Sequence, residues 1–341
     1  MSKLSKLRNS PERFFADARL PVLRLMGRWL APPIAKSDIA MALLEDPVEA
    51  LSRLDPPVLG PFVRTVSSAS ARNRRARLAA AGHPQVSVIM AARNAEGTVI
   101  PAIESLLAQT YTNLEVIVVD DASTDATPDL VGGLASRTKR VRLLRNPSPK
   151  GAALARNVGL AAASGEFLTF QDADDRSTPE RIELQLAKLV GGRTLVCAVN
   201  SCRETAGGQR VIVNGRRFTK NVISMMFPRT PVFDRLGYFL DLKVGEDSEY
   251  YERIKTVFGA ERESHIFKTL YRARFATGSL LFSSGQTEVG DDLEVTFSHE
   301  PANEARLDAA LAELREPNEG VLLVRVNADG LRELPPSPSD N

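Results

Sequence analysis

Four short apolar runs separated by helical segments constrain this chain more than any other feature. They are "VSVIMAA" (86–92), "LEVIVVD" (114–120), "VRLLRN" (141–146) and "EFLTFQD" (166–172), all brief and mostly rich in β-branched residues. Between the first two, "AEGTVIPAIESLLAQT" (95–110) sets Val99, Ile103, Leu106 and Leu107 at helical spacing. A second helix is predicted near 127–137, and "GAALARNVGLAAAS" (151–164) forms a third from small residues. After the fourth run a helix is predicted from Pro179, with Thr178 as its N-cap. Strands alternating with helices at this spacing build βαβ units, so the fold class is α/β, with a mostly parallel central sheet and flanking helices.

Past residue 192 the regularity loosens. "RTLVCAVN" (193–200) and "QRVIVN" (209–214) read as strands, with a hairpin around Gly207-Gly208. The segment 246–258 is a helix stopped by Gly259, and 302–315 reads as an acidic helix. "ELPPSPSDN" at the C-terminal end has the composition of a disordered tail.

Charge is uneven along the 341 residues. The net value of +2 does not point to nucleic acid, yet residues 1–80 carry a net +7 and residues 291–341 a net −8. Residues 1–30 mix Lys3, Lys6, Arg8, Arg13 and Arg19 with Leu4, Phe14, Phe15, Leu23 and Trp29. That is the pattern of a basic amphipathic helix, which can lie on an anionic membrane or pack on its own domain. No run of apolar residues is long enough for a transmembrane helix, and the start lacks the apolar core of a signal peptide. Cys197 and Cys202 are expected to be reduced thiols in a cytoplasmic protein, and three scattered histidines argue against a His-built metal site.

Ligands of open α/β sheets bind beyond the carboxyl ends of the strands. Here those ends run into "AARN" (91–94), "DDASTD" (120–125) and "DADD" (172–175). The plain alternative for "DDASTD" is loop acids that cap a helix; a phosphoacceptor pocket fits "DADD" poorly. Three carboxylates as close as Asp172, Asp174 and Asp175 raise one another's pKa unless a cation relieves them. Mg²⁺ or Mn²⁺ suits such oxygen ligands and keeps positions open for phosphate. In "VGEDSEYYERIKTVFG" (244–259), Asp247 shares one helical face with Tyr251, Ile254 and Phe258. An acid at the head of an apolar stripe is either a partner of the helix dipole or a group aimed at a site.

Together, "VSVIMAARNAEGTVIPAIESLLAQTYTNLEVIVVDDASTDATPDL", "GAALARNVGLAAASGEFLTFQDADD" and "GEDSEYYERI" resemble the family 2 glycosyltransferases of GT-A fold, over about residues 86–280. The resemblance implies an inverting, metal-dependent hexosyltransferase-like enzyme of bacterial surface polysaccharide synthesis. It would use a nucleoside diphosphate sugar (a UDP-sugar is favoured) and a glycan or glycolipid acceptor. By resemblance, Asp121 supported by Asp120 holds the nucleotide base, which the end of the first strand at Ala91 lines. Asp172 faces the ribose and diphosphate, Asp174 ligates the metal with Asp172, and Asp175 supports them. Arg156 steadies the diphosphate or an aspartate, or else makes a surface ion pair. In "LYRARFATGSL" (270–280), Arg272 or Arg274 neutralises the diphosphate. Asp247 is the implied general base, and Glu246 binds the acceptor.

The expected organisation is a basic helical extension and linker over 1–84, then a GT-A domain over 85–300. That domain has a nucleotide-sugar part (85–192) and an acceptor part (193–300), and an acidic helix and tail follow over 301–341. The expected site of work is the cytoplasm, at the inner face of the membrane, with peripheral contact through residues 1–30. A non-catalytic module that binds nucleotide-sugar or polysaccharide is the competing expectation.

Overall fold

The computed structural model describes residues 59–315 and 325–333. The basic segment 1–30, most of the 1–84 extension and the tail 334–341 lie outside the described residues. The chain divides into two units, residues 1–75 with 267–269, and residues 76–266 with 270–341. Of the first unit, helix α1 (Leu59–Ala80) is described; its last residues belong to the second.

The second unit is built on a mixed sheet. Strands β1 (Val86–Ala92), β2 (Leu114–Asp120), β3 (Val141–Arg145) and β4 (Phe167–Phe170) run parallel in the order β4-β1-β2-β3. Helices α2 (Val99–Leu107), α3 (Thr127–Ala135) and α4 (Ala152–Ala162) connect them. Every residue of β2 is buried, which is why its middle, Val116 to Val119, reads as a continuous apolar run rather than an alternating one. Its side chains still divide by parity. Ile117 and Val119 join Ile89, Leu160 and Phe170 in one core, whereas Val116 and Val118 join Val88, Met90, Ile103 and Leu106 in the other. On the first face α4 lies close, because a Cβ at Gly159 would stand 2.4 Å from Ile89 Cγ2.

The remainder of the sheet is largely antiparallel. A short β5 (Arg176–Ser177) and helix α5 (Arg181–Leu189) precede β6 (Val196–Glu204), β7 (Arg210–Val213) and β8 (Thr219–Pro228). β8 pairs antiparallel with both β4 and β6, and so joins the parallel half to the rest. The hairpin expected at Gly207-Gly208 forms between β6 and β7, with Gly208 at φ +78°. Helix α6 (Glu246–Phe258) ends at Gly259, whose φ of +94° is glycine territory, as its sequence position implied. β9 (Glu263–Arg274) pairs with β5 and β6, and β10 (Gly285–Val289) and β11 (Glu294–His299) continue the sheet through β7.

Two details differ from the sequence expectation. β4 stops at Phe170, so Gln171 and Asp172 have left the sheet. The helix after it begins at Arg181, and Thr178 does not cap it: its N–H donates to Leu270 O, and its buried hydroxyl has no hydrogen-bond partner. Pairing of β5 with β9 takes up the two residues before Thr178 and moves the helix start two residues along.

The C-terminal described residues form helix α7 (Pro301–Arg315) and the small ribbon of β12 (Arg325–Val326) and β13 (Arg332–Glu333). They lie against the loop before α6 and against α6 itself. Val326 O accepts Tyr238 N–H at 2.9 Å, Gly330 O accepts Asp241 N–H at 3.1 Å, and the side chain of Leu307 closes on Gly245.

Candidate active site

A cleft of about 670 Å³ opens where the carboxyl ends of β1 and β4 meet the head of α6. Ala91, Arg93 and Asn94 form one wall, Asp172, Ala173, Asp174 and Asp175 the floor, and Glu246, Asp247 and Ser248 the far side. Polar side chains of β6 and β8, among them Ser201, Arg203 and Asn221, complete it, with Arg274 from β9. Sequence positions more than seventy residues apart, Asp174 and Asp247, therefore face one space.

Arg156 holds the two sides together. It is only 6 % exposed, and its guanidinium donates to Asp172 Oδ1 at 2.7 Å and to Glu246 Oε1. The surface ion pair considered from the sequence is thereby replaced by a buried bridge between the end of β4 and the head of α6. The adjacent carboxylates keep the guanidinium firmly charged despite its burial. Beside it, Asn157 exchanges hydrogen bonds with the backbone of Phe239 and donates to Ala328 O, fixing α4 to the loop that leads to α6.

The acids differ in environment. Burial and then the neighbouring Asp172 charge push Asp174 up to about 6, with Arg274 and Arg203 pulling the other way. Asp175 is buried, accepts Arg274 N–H at 2.7 Å, and is driven well above the carboxylate range by burial and by the charges of Asp174 and Asp172. Burial pushes Glu246 up to about 7 against the pull of Arg156. Asp247 is also raised, by burial first, although Arg156 and the Ser248 N–H bonded at 2.7 Å favour its ionised form. Such shifted carboxyls gathered in a cleft are what acid–base sites look like.

The acids after β2 take another position. Asp121 accepts from Asn146 Nδ2 at 2.7 Å and from the backbone N–H groups of Lys150 and Gly151, which pins the loop that starts α4. Asp120 is fully buried and pairs with Arg145 at 3.4 Å. Neither lines the cleft. The rest of that loop is tied to the one after β1, through Asn94 N–H to Ser123 Oγ, Ala95 N–H to Thr127 Oγ1 and Glu96 N–H to Asp125 Oδ2. Arg272 also stands outside the cleft, paired with Glu204, whereas Arg274 lines it.

Some supporting residues were not singled out from the sequence. The Tyr271 hydroxyl accepts Asp172 N–H at 3.0 Å. Below it, fully buried Arg181 donates to Ser177 Oγ, Thr169 Oγ1 and Phe170 O, and burial lowers it to about 10. The one available signal was an arginine four residues before Gln185 on the apolar face of a helix, where a surface cation has no place.

Among the described residues no three His, Cys or carboxylate side chains converge on one point. The protein offers a divalent ion the pair Asp172 and Asp174. Burial and the Asp172 charge oppose the ionised form of Asp174, and a hard cation with further oxygens from water and phosphate would relieve that opposition. Cys197 and Cys202 are free thiols, both buried.

Residues 87–237 match the family model described as "Glycosyl transferase family 2". An uncharacterized glycosyltransferase of Haemophilus influenzae is 41% identical over 103 residues, which is 30% of this chain and 41% of that protein. Escherichia coli WfgD, named a UDP-Glc:alpha-D-GlcNAc-diphosphoundecaprenol beta-1,3-glucosyltransferase, is 44% identical over 105 residues, 31% of this chain and 41% of its own. Succinoglycan biosynthesis protein ExoO of Rhizobium meliloti is 42% identical over 106 residues, covering 31% of this chain and 30% of its own. The match thus spans well under half the length of these relatives. Among solved structures, S. aureus TarS 1–349 in complex with UDP-GlcNAc superposes with a TM-score of 0.49 at 25% identity, over 59% of this chain and 61% of that one.

Proposed function

We propose, from the premise that residues 87–237 form a family 2 glycosyltransferase domain, that this chain moves a sugar from a nucleoside diphosphate sugar to a hydroxyl of a glycan or glycolipid. The setting is bacterial surface polysaccharide synthesis, and the sugar carbon is inverted. One observation carries the reading: a single cleft holds Asp172 and Asp174 at the end of β4 opposite Asp247 at the head of α6, with Arg156 bridging the two sides. A UDP-sugar is the favoured donor, and a lipid-linked glycan, as in the name of the E. coli relative, is the acceptor class.

The chemistry is a single displacement. The acceptor oxygen bonds to the sugar carbon as the carbon–phosphate oxygen bond breaks; the acceptor proton passes to Asp247, and the nucleoside diphosphate leaves. Asp174 and Asp172 would hold Mg²⁺ or Mn²⁺, whose charge, when bound, stabilises the leaving diphosphate. Asp247 is placed to act as the base at the head of α6, and burial raises its pKa toward the working pH. Asp175 and Tyr271 fix the floor of the cleft, and Arg274 sets a cation beside it. Glu246 keeps Arg156 in place and borders the acceptor side. From beneath, Asp121 and Asp120 hold the loop after β2 in shape for the base of the nucleotide.

The test uses Asp174→Asn and Asp247→Asn with Mn²⁺ and a panel of nucleotide sugars. Each variant should remain folded, and Asp247→Asn should lower kcat about a hundredfold or more. Wild-type transfer by both variants overturns the assignment. Donor binding without turnover in the wild type would favour the non-catalytic binding module.

A further inference from the structure

A second depression of about 260 Å³ adjoins the cleft and shares Thr98, Asp174, Ala273 and Arg274 with it. Its remaining wall is Gly97, Arg176 on β5, the β6–β7 turn from Glu204 to Gly208, and Arg272 on β9. Arg176 and Arg272 are brought together by the β5–β9 pairing, in which they stand directly opposite one another. Like charges placed opposite on paired strands are unfavourable unless an anion lies between them.

Arg274 lines this depression as well as the cleft, and further arginines stand on neighbouring strands. Arg203 on β6 is stacked over the Phe282 ring at 5.0 Å, and Arg210 on β7 over Phe218 at 5.8 Å. After burial, the charges of Arg272 and Arg217 weigh most against the Arg210 charge. The carboxylates on this side are Glu204, which Arg272 already engages, and Asp174 at the junction with the cleft. The patch therefore carries an excess of guanidinium groups in a walled recess, the arrangement that recognises phosphate in a bidentate manner. Its volume is below the usual range for sites that enclose a whole small molecule, so it suits a small anionic group attached to something larger.

We infer that this depression is an anion subsite for a phosphate or diphosphate group carried by the acceptor, with Arg176 and Arg272 as its principal ligands. The inference rests on the transferase reading for the word acceptor; the anion site itself stands on the arginine recess. The donor's diphosphate belongs beside Asp172 and Asp174 in the main cleft. A phosphate in the second depression lies next to that cleft, so an acceptor bound by its phosphate presents a nearby hydroxyl to the reacting sugar.

The experiment titrates the full chain with methyl phosphate in Mg²⁺, alone and with saturating UDP, by calorimetry or by ³¹P NMR. Methyl phosphate should bind, and should still bind when UDP occupies the main cleft. Arg176→Gln with Arg272→Gln should weaken it about tenfold while leaving the affinity for UDP unchanged. Both residues are exposed, so the variants keep the fold. No binding by the wild type, displacement by UDP, or wild-type affinity in the double variant each overturns the inference. Displacement by UDP would assign the arginines to the donor. In transfer assays the double variant should raise KM for a phosphate-bearing acceptor and leave kcat and the donor KM unchanged. If the wild type transfers nothing while methyl phosphate binds as described, the transferase reading fails and the anion site remains.

Discussion

A buried guanidinium between two carboxylates is stabilising only while all three groups are present. Removing Arg156 strands the buried Glu246, and breaking such a buried pair costs about 3–5 kcal/mol. Arg156→Met should therefore lower Tm by many degrees, and Arg156→Lys, which keeps a charge but cannot span both acids, should fall between it and the wild type. Equal Tm for all three proteins by calorimetry would show that the bridge contributes nothing. The second residue-scale consequence concerns pH. As the proposed base Asp247 must be deprotonated to act, and burial raises its pKa, so transfer should be lost as pH falls through a value above the ordinary carboxylate range. The acid limb of kcat against pH should lie above about 4 for this reason, and Ser248→Pro, which removes the N–H bonded to Asp247, should move it higher still. An acid limb at or below 4 in the wild type would contradict the raised pKa.

At the scale of elements, β1, β2 and α6 were legible because their signals are local: an apolar run bounded by polar loops, or a helix closed by Gly259. The start of α5 was misread, since Thr178 and Pro179 make a good local cap signal that the β5–β9 pairing overrides from a hundred residues away. Within the site, Asp172, Asp174 and Asp247 could be picked out as acids in places where an acid is unexpected. Tyr271 and Arg181 could not, because their meaning lies in a partner on a different element. The same holds for Arg332, whose link to buried Glu249 no local pattern reveals. Glu249 also pairs with Arg253 at 3.0 Å, and α7 lies beside α6, so the helix that carries Asp247 is held from behind. A chain ending at residue 300 should retain the sheet yet lose most transfer, because α6 would shed Arg332 and the Leu307 contact under Gly245. Full activity of that truncation, measured alongside its circular dichroism, would show that α7 and the ribbon are dispensable.

The whole molecule is polarised in sequence, net +7 over residues 1–80 and −8 over 291–341. No helix of the described residues is long and apolar enough to cross a membrane. We propose that the basic and apolar mixture of residues 1–30 makes a peripheral contact with anionic lipid at the inner membrane face, where a lipid-linked acceptor would be presented. The full chain should float with anionic liposomes at low salt, and a deletion of residues 1–30 should not; equal flotation of the two would remove the membrane contact from the proposal.

The ribbon at 325–333 has one more consequence, which concerns time rather than space. Its residues leave the ribosome after every group they fasten: Asn157, Tyr238, Asp241 and Glu249. The strands and acids of the cleft can assemble while the chain is still growing. On the proposed reading, the wall formed by the head of α6 is locked only when that final stretch arrives, so sugar transfer should begin only after synthesis has passed residue 332.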